Sequence, residues 1–263
     1  MKVILSPAKS MNEEVSCEGI ETSQPIFPDE TEKLANKLGK LSAKQIKKLM
    51  GVSDNIAELN YDRYQAWNKS KEVAKPAGML FTGAAYQALK FDELDKKEQV
   101  VGQDKLRILS GLYGVLKPLD LIKPYRLEMG TSFKLSASVT NLYKFWGDKI
   151  RKSLDEELKE DDSPILVNAA SSEYFKAAQL NKLQNGKVIT TTFKDEAKDG
   201  TYKSNMTYAK HARGAMARYI IQNDIKSEDG LKAFNLLNYR FDEANSTDTE
   251  FIYLRDINQR VLP

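Results

Sequence analysis

Short apolar runs alternate along the chain with segments in which apolar residues recur every three or four positions. The runs predict buried strands at residues 2–5, 78–81, 106–109, 165–168, 187–193, 239–241 and 250–254. The first run stops at Ser6-Pro7, because proline lacks the amide that a strand ladder needs. Strands and helices are interspersed without a linker, repeat or low-complexity tract. We therefore predict a single domain of the α+β class over residues 1–263.

Amphipathic helices are predicted where the apolar spacing matches the turn of an α-helix. The predicted helices are one that begins at Pro28, one capped by Ser42 that ends at Met50, one over residues 54 to about 69, one over residues 142–158, one that begins near Ser171, and one from Met206 to about Gln222. The fourth has the clearest pattern, since apolar side chains recur every four residues from Leu142 to Leu158. Such stripes indicate faces packed against a core and not a cofactor-binding motif.

A very short connection, Gly51-Val52-Ser53, joins the second and third predicted helices. The segment at about residues 42–69 resembles a helix-hairpin-helix, whose pattern is hydrophobic-x-Gly-hydrophobic-Gly-x-x-x-Ala. Gly51, Val52 and Ala57 fit that pattern, and Ser53 stands in place of its second glycine. Amides at such a hairpin and the positive end of the second helix can receive a phosphate, which glycine allows to approach closely.

Three lysines on the first helix of this hairpin, Lys44, Lys47 and Lys48, add positive charge beside the connection. Together with the glycine at position 51 they predict a site that binds phosphates. The alternative interpretation is an ordinary corner between two helices whose lysines are solvated. The sequence leaves both interpretations open.

The composition is that of a globular protein, with 41% hydrophobic and 29% charged residues among 263. The apolar run at the N-terminus is far shorter than a signal-peptide core or a membrane span, so we expect a cytoplasmic protein with no membrane partner. The formal net charge of +3 and the pI near 8.6 are too mild to indicate nucleic-acid binding by themselves. The distribution of charge is therefore more informative than its total.

Basic residues concentrate in two segments of the chain. Residues 102–126 contain five basic and two acidic residues, and residues 198–218 contain five basic and one acidic residue. In the predicted helix of the second segment, Lys210, Arg213 and Arg218 fall within an arc of roughly 140°. This arrangement predicts a basic face that meets phosphates, although a solvated helix surface gives the same pattern.

The chain has one cysteine, Cys17, and one histidine, His211, which cannot form a disulfide or the ligand sets of zinc and iron–sulfur sites. Only a metal held by oxygen ligands remains open, and direct iron storage is disfavoured because soft and imidazole ligands are missing. No Gly-x-Gly-x-x-Gly or Walker sequence indicates a nucleotide cofactor. We therefore predict no metal site and no cofactor, and the sequence provides no basis for a catalytic triad around His211.

Three segments that follow or contain predicted strand ends combine charged, hydroxyl and aromatic side chains. They are residues 6–9, 117–130 and 168–176. In folds of α and β elements, the ends of strands carry ligand sites. The alternative is that these side chains cap helices and form ion pairs in the core, such as Arg126 with Glu128.

Taken in chain order, several segments resemble the YaaA peroxide-stress protein family. The segments are residues 6–9, 107–120, 124–130, 145–148, 172–176 and 210–214, and their order and spacing match from residue 1 to about residue 255. Gly83-Ala84-Ala85-Tyr86 lacks an acidic residue that is common in the family. In the stretch that the family has as Lys-Lys-Ala-Arg-Gly, the second basic residue is here His211.

The resemblance implies a bacterial cytoplasmic protein that binds DNA and limits free intracellular iron during peroxide stress. It also implies an unusual α and β topology that contains a helix-hairpin-helix. It establishes neither a catalytic activity nor a molecular route from DNA binding to iron.

Our first hypothesis is a protein that binds duplex or branched DNA largely independently of base sequence. Its predicted contacts are Lys44, Lys47, Lys48, Gly51, Val52 and Ser53 at the hairpin and Lys9, Lys117, Arg126, Lys176, Lys210 and Arg213 in a basic cleft. The alternative is an enzyme that acts on a phosphorylated or nucleic-acid substrate. Its site would bring together Lys9, Tyr125, Arg126, Glu128, Asn168, Ser171, Glu173 and Lys210. The sequence indicates neither the catalytic role of any residue nor the oligomeric state.

Overall fold

The computed structural model of the chain describes residues 1–67 and 74–262. The α-helices in these ranges are α1 Pro28–Leu38, α2 Ala43–Met50, α3 Asp54–Ala66, α4 Ala77–Leu80, α5 Ala84–Leu89, α6 Lys96–Lys105, α7 Leu142–Trp146, α8 Lys149–Lys159, α9 Ser172–Ala177, α10 Met206–Gln222 and α11 Glu228–Lys232. The strands are β1 Lys2–Leu5, β2 Ser10–Met11, β3 Lys75–Pro76, β4 Phe81–Thr82, β5 Leu106–Ser110, β6 Gly114–Leu116, β7 Leu121–Ile122, β8 Ile165–Ala169, β9 Lys187–Glu196, β10 Tyr202–Lys203, β11 Arg240–Phe241 and β12 Glu250–Arg255. Single-turn 3-10 helices lie at Phe91–Glu93, Leu180–Lys182, Leu236–Asn238, Glu243–Asn245 and Ile257–Gln259.

A mixed sheet of eight strands organises the chain. Its order is β11-β12-β9-β8-β1-β5-β6, and β10 pairs with β9 beside this path. The strands from β12 to β5 run parallel, whereas β11, β6 and β10 pair antiparallel with their neighbours. At the centre, Val3 of β1 is in register with Leu106 of β5 on one side and Val167 of β8 on the other. The mixed sheet with its helices confirms the predicted α+β fold.

The centre of the sheet forms the core of the molecule. Every residue of β1 and β5 is buried, which is typical of parallel strands covered on both faces. The longer strand β9 alternates instead between buried and half-buried residues over most of its length. Helix α10 packs against β1, β8 and β9, and its side chains Ala212, Met216 and Ile220 are completely buried. This helix is therefore part of the core as well as a carrier of basic residues.

Six of the seven predicted strands are confirmed within one to three residues, and the strand predicted at residues 78–81 is wrong. Ala77–Leu80 forms the single helical turn α4, closed by the Phe81 amide on the Ala77 carbonyl. The amides of Ala77 and Gly78 donate to the carbonyls of Asp120 at 2.9 Å and Pro118 at 2.8 Å. All four residues of the turn are buried, and a short apolar run fits a buried turn as well as a buried strand.

The single helix predicted at residues 142–158 is also wrong, because Gly147 divides it into α7 and α8. Gly147 has φ 54° and ψ −118°, which residues with a Cβ atom rarely adopt. The break comes directly after Trp146, which is fully buried and donates from its indole nitrogen to the Gly111 carbonyl at 3.0 Å. The apolar stripe continues through Leu154. Its regular spacing therefore marks the buried sides of two consecutive helices and not a single helix.

The other predicted helices are confirmed at their starting residues, including the hairpin of α2 and α3. Ser42 and Gln45 form a capping box at the start of α2, and the Ser53 hydroxyl caps α3. Residues 68 and 69, the end of the predicted hairpin segment, lie outside the described residues. That this hairpin is a DNA-binding helix-hairpin-helix stays a prediction. No helix in residues 1–67 and 74–262 is both long and apolar enough to cross a membrane.

Candidate functional site

A cleft with a volume of about 430 Å³ opens at the carboxyl ends of two central strands, β1 and β8. Leu5 and Ala169, the last residues of these strands, form part of its wall. The parallel strand that follows β1 in sequence, β5, lies on one side of it, whereas β8 and β9 lie on the other side. The order of strands therefore reverses at β1 and β8, and such switch points are where sheets of this kind place their ligands.

The walls of the cleft come from the beginning, the middle and the end of the chain. The lining includes Ser6, Lys9 and Ser10 after β1, Thr82, Gly83 and Tyr86 around the start of α5, Tyr125, Arg126 and Glu128 after β7, Ser171, Glu173 and Tyr174 after β8, and Lys210 and Arg213 on α10. Gly83 has a φ of 110°, a conformation that only glycine adopts readily. The cleft therefore depends on the tertiary fold and not on any one segment.

Glu128 joins two of the cations in the cleft. Its Oε2 atom lies 2.7 Å from Nζ of Lys9, and its Oε1 atom lies 3.2 Å from Nη2 of Arg126. The backbone carbonyl of Arg126 accepts a hydrogen bond from the Tyr64 hydroxyl at 3.1 Å, which anchors the loop to α3. One carboxylate thus holds two cationic side chains and neutralises one of their two charges.

Lys210 and Arg213 lie one turn apart on α10 and both line the cleft. Neither forms an ion pair with a carboxylate in the part of the chain that the structure describes, and the buried Nε of Arg213 has no hydrogen-bond partner there. Burial lowers the pKa of the Arg213 guanidinium from its ordinary value, because desolvation disfavours the charged form. An anion bound in the cleft would compensate this charge.

Hydrogen bonds between distant segments fasten the loops of the cleft to one another. The Glu173 carboxylate accepts from the Gly130 amide at 2.7 Å. The Ser6 hydroxyl accepts from the Ser171 amide at 2.9 Å, and the Ser6 carbonyl accepts from the Tyr86 hydroxyl at 3.0 Å. These bonds preorganise the cleft, so that little ordering of its loops has to accompany binding.

Three buried tyrosines, Tyr86, Tyr125 and Tyr174, form an aromatic part of the lining. Burial raises the pKa of each phenol, so all three are neutral at physiological pH. The Tyr125 hydroxyl lies 2.5 Å from Oγ of Ser110, and its ring packs edge-on against Phe81. The tyrosines therefore supply aromatic surface and not negative charge.

Helix α10 approaches α5 unusually closely at Gly214. A Cβ atom at this position would lie 1.8 Å from the Ala85 carbonyl oxygen, so only glycine permits the contact. One turn earlier, the buried His211 ring lies against the Ala84 backbone, its Nδ1 has no hydrogen-bond partner among the described residues, and burial lowers the pKa of its imidazole. His211 and Gly214 thus position the loop that carries Gly83 against the helix that carries Arg213.

Arg218, the third cation of the basic face predicted on this helix, does not line the cleft. Its guanidinium donates to the carbonyls of Leu89 at 3.0 Å and Lys90 at 2.9 Å, at the end of α5. It therefore satisfies carbonyl groups that have no partner within that helix. Of the three cations of the predicted basic face, two line the cleft and the third caps the end of α5.

The structure brings together four of the six cations that we predicted for a basic cleft: Lys9, Arg126, Lys210 and Arg213. The other two lie outside it. Nζ of Lys176 lies 5.1 Å from the ring centre of Tyr143, and the Lys117 amide donates to Asp120 at 2.8 Å. The roles of all six as DNA contacts stay predictions.

The same cleft contains seven of the eight residues that we predicted for an enzyme site: Lys9, Tyr125, Arg126, Glu128, Ser171, Glu173 and Lys210. The eighth, Asn168, is buried in β8. Its Oδ1 atom accepts from the Ala170 amide at 3.1 Å and its amide nitrogen donates to Thr190 at 3.3 Å, so it shapes the end of the strand. Among the residues that the structure describes, no three or more His, Cys, Asp or Glu side chains are grouped so that they could hold a metal.

Sequence reasoning missed the segment from Thr82 to Tyr86, which contributes a whole wall of the cleft. One signal was available, because Gly83 directly follows an apolar run. Glycine at such a place often marks a backbone that adopts a positive φ or approaches a ligand closely. The strand predicted at residues 78–81 ended before this segment, so no site was predicted there.

The α2–α3 hairpin forms a second, more open surface lined by three lysines and two carboxylates, with Gly51 and Val52 between them: Lys44, Lys47, Lys48, Asp54 and Glu58. Gly51 has a φ of 62°, and its amide and that of Val52 both donate to the Lys47 carbonyl, at 2.9 and 3.4 Å. These two amides therefore close the end of α2. The amides left for a phosphate in the described part of the chain are those of Asp54 and Asn55, because the Ile56 amide donates to the Ser53 hydroxyl.

Helix α3 connects this hairpin surface to the cleft. Asp54 begins the helix beside the lysines and pairs with Lys47 at 2.8 Å, whereas Tyr64 near its end anchors the Arg126 loop. The helical rise between Asp54 and Tyr64 corresponds to roughly 15 Å. The two basic surfaces are therefore held at a fixed spacing by one helix.

The fold and the cleft define a class of α+β proteins with a cation-rich pocket at the switch point of a mixed sheet. A family model described as Peroxide stress protein YaaA matches residues 1–245. Similar relatives are UPF0246 proteins of Polynucleobacter necessarius at 45% identity and Neisseria gonorrhoeae at 44%, each aligned over 97% of this chain and 98% of the relative. A further UPF0246 protein, of Saccharophagus degradans, is 41% identical over 97% of this chain and 99% of its own. The chain belongs to the YaaA peroxide-stress family, and its role lies in peroxide stress.

Proposed function

We propose that the protein acts in peroxide stress by binding the phosphates of duplex or branched DNA, largely independently of base sequence. The observation that carries this proposal is the pair Lys210 and Arg213, two cations in a preformed cleft without an acidic partner in the described part of the chain. Phosphate oxygens are the acceptors that such cations bind most strongly. The proposed DNA-contacting surface consists of this cleft and the hairpin.

The hairpin supports the proposal because two of its lysines are free to meet a phosphate. Lys44 and Lys48 are exposed, and neither forms an ion pair with any residue that the structure describes, whereas Lys47 pairs with Asp54.

We also propose that the protein helps to limit free iron in the cytoplasm during peroxide stress. This part rests on the family to which the chain belongs and not on a metal site. In cells exposed to peroxide, replacing Lys44 and Lys48 with glutamate should raise the pool of chelator-accessible iron. An unchanged iron pool, in cells where the variant no longer binds DNA, would separate iron limitation from DNA binding.

The test of DNA binding is a salt titration by fluorescence anisotropy on two unrelated duplexes and one four-way junction. Affinity should differ little between sequences and fall with salt, with a slope of log K against log salt of about −0.9 for each phosphate contacted. Replacing Lys44 and Lys48 with glutamate should make this slope shallower by roughly two. Replacing Lys210 and Arg213 with glutamine should weaken binding chiefly of DNA whose strands carry terminal phosphates.

The matched control reverses two exposed lysines elsewhere, Lys152 and Lys159 on α8, which changes the net charge as much as the hairpin variant does. It should leave the salt slope unchanged. Absence of binding at low salt, or an equal loss in the control, would contradict the proposal, because a diffuse basic surface would then explain any association.

A second candidate function is an enzyme that acts on a phosphorylated or nucleic-acid substrate in the same cleft. The observation that favours it is the convergence of Glu128 and Glu173 with Lys9, Arg126 and Lys210 in one preformed pocket. Carboxylates beside cations are what acid–base chemistry on a phosphate ester needs. Incubation with nucleotides and with DNA ends should then give a product by mass spectrometry that Glu128→Gln abolishes.

A further inference from the structure

We infer that Lys210 and Arg213 form a subsite for one phosphate monoester, so that the cleft takes a nucleotide or the phosphorylated end of a strand. An internal phosphodiester is a poorer ligand. The inference deepens the proposed phosphate binding and rests on it. Its new content is the chemical class of the ligand that enters the cleft, as distinct from the duplex that contacts the hairpin.

The charge of the cleft matches a monoester. Among the residues that the structure describes, its lining contains four cations, Lys9, Arg126, Lys210 and Arg213, and the carboxylates Glu128 and Glu173, which leaves an excess of two positive charges. A phosphate monoester carries a charge of about −1.5 to −2 at neutral pH. A phosphodiester within a strand carries one negative charge for each phosphate and would leave the excess only half compensated.

The size of the cleft matches a nucleotide and not a duplex. Its volume of about 430 Å³ lies in the range that small-molecule sites occupy, whereas a double helix is wider than such a pocket. A strand can therefore enter only by its end, or as a single unpaired nucleotide. This geometry assigns the duplex to the open hairpin surface and the terminal phosphate to the cleft.

The position of Arg213 makes it the principal phosphate ligand. Arg213 lines the cleft, and its guanidinium has no hydrogen-bond or ion-pair partner among residues 1–67 and 74–262; because its Nε is buried, the donors left for a ligand are those of the two terminal nitrogens. The neighbouring Gly214 contact with Ala85 fixes the helix that carries it. A guanidinium held in this way binds two phosphate oxygens at once, and Lys210, one turn away, adds a point charge.

The remaining lining suits the rest of a nucleotide. The hydroxyls of Ser6, Ser10 and Thr82 line the cleft and can donate to the other phosphate oxygens or to a sugar. Tyr86 and Tyr125 also line the cleft, but their side chains are only 6% and 3% exposed and offer a base little surface on which to stack. We therefore expect the phosphate, more than the base, to determine affinity.

The first experiment compares ligands by isothermal titration calorimetry on the full chain. The probes are adenosine 5′-monophosphate, adenosine, and the dinucleoside ApA, whose single phosphate is a diester. The monophosphate should bind at least about tenfold more tightly than either of the others, since only it carries the dianion. A 5′-phosphorylated oligonucleotide compared with its 5′-hydroxyl counterpart then distinguishes strand ends from free nucleotides as the source of the phosphate.

The second experiment removes the subsite. Arg213→Gln and Lys210→Gln should each weaken adenosine 5′-monophosphate binding by about tenfold or more, because each loses a charge-assisted hydrogen bond. Arg213→Lys keeps the charge without the fork and should fall between the parent and Arg213→Gln. Circular dichroism and thermal melting establish that the variants fold. If Arg213→Gln does not fold, Arg213→Lys still tests the subsite.

The matched control is the hairpin variant in which Lys44 and Lys48 are replaced by glutamine. It should weaken binding of duplex DNA and leave the affinity for adenosine 5′-monophosphate unchanged. Equal affinity for the monophosphate and ApA, or full affinity in folded Arg213→Gln and Lys210→Gln, would overturn the inference. If the parent protein binds duplex DNA but no nucleotide, only this inference is overturned. If the parent protein binds neither duplex DNA nor nucleotide, the proposed function is overturned as well.

Discussion

The cleft and the α2–α3 hairpin are both rich in cations, yet they are built in opposite ways. The hairpin is a local structure in which Ser42, Gly51 and Ser53 form the caps of two consecutive helices. The cleft instead joins residues as far apart in sequence as Lys9 and Lys210. Local caps can be read from a sequence, whereas a site assembled from five segments depends on strand order and on helix packing.

The two regions also differ in how their charges are compensated. Lys44 and Lys48 extend into solvent, where screening makes an unpaired charge inexpensive. Arg213 is partly buried, where an unpaired charge costs more and gains more from a bound anion. The difference suggests that the hairpin contributes to association and to salt dependence, while the cleft contributes to the choice of ligand.

The largest expected effect is that of Gly214→Ala, which tests whether the cleft depends on close packing. The added Cβ atom would meet the Ala85 carbonyl at 1.8 Å, so α5 and α10 must separate. Overpacking against a backbone atom should lower the free energy of unfolding by about 3 kcal/mol or more. Urea denaturation measures this, and a variant as stable as the parent would show that the helices can move apart freely.

A smaller effect is expected from Gly51→Val at the hairpin. No described residue lies within 4 Å of a Cβ atom placed on this glycine, so the cost comes from holding a β-branched residue at a φ of 62° and not from a clash. We expect a loss of about 1–2 kcal/mol in urea denaturation, together with weaker DNA binding because a side chain obstructs the phosphate. Gly51→Asn is the control, since asparagine tolerates this conformation better. If folded Gly51→Val binds DNA as tightly as the parent, the hairpin is only a helix corner.

A pair of carboxylate replacements compares the two surfaces directly. Glu128→Gln releases Lys9 and Arg126 in the cleft, and Asp54→Asn releases Lys47 at the hairpin. Asp54→Asn should tighten duplex DNA binding by about 1 kcal/mol or less and steepen its salt slope by about one. Only Glu128→Gln should tighten binding of adenosine 5′-monophosphate. The same response to both replacements in calorimetry would show that the two surfaces are not distinct.

The smallest effect concerns His211, whose buried imidazole has a pKa below the ordinary value of 6.5. As pH falls, this imidazole therefore takes up a proton in the unfolded chain at a higher pH than in the folded protein. The free energy of unfolding declines as pH falls from the pKa of the unfolded chain to the lower pKa of the folded protein. His211→Asn should reduce the difference in melting temperature between about pH 7.5 and about pH 5.5. Every other titrating group contributes equally to parent and variant, so an identical pH dependence in both would show that His211 does not titrate in this range.

The sequence predicted the elements of the fold better than their arrangement. Apolar runs located β1, β5 and β8, because strands buried on both faces have few polar residues. The same signal failed at residues 77–80, since a four-residue run cannot distinguish a strand from a helical turn. Periodicity also merged α7 and α8, because the buried stripe continues across Gly147 while the backbone does not.

Most residues of the candidate site could be predicted from the sequence, but which of them lie together in one cleft could be predicted only in part. Ser171, Glu173 and Glu128 were identified because polar side chains follow predicted strand ends. Lys117 and Lys176 follow the same rule and lie outside the cleft, since the direction of a side chain depends on packing that one sequence does not reveal. The parallel pairing of β1 with β8, which creates the cleft, joins strands more than a hundred residues apart.

The contacts of Arg218 and His211 have a consequence for the order in which the molecule opens. They attach α10 to both ends of α5, through the Leu89 and Lys90 carbonyls at one end and the Ala84 backbone at the other. A six-residue helix is not stable alone in water, so α5 can persist only while α10 holds it. Amide hydrogen exchange of α5 should therefore report the opening of a unit that includes α10, and the wall of the cleft that begins at Gly83 is lost in the same cooperative step.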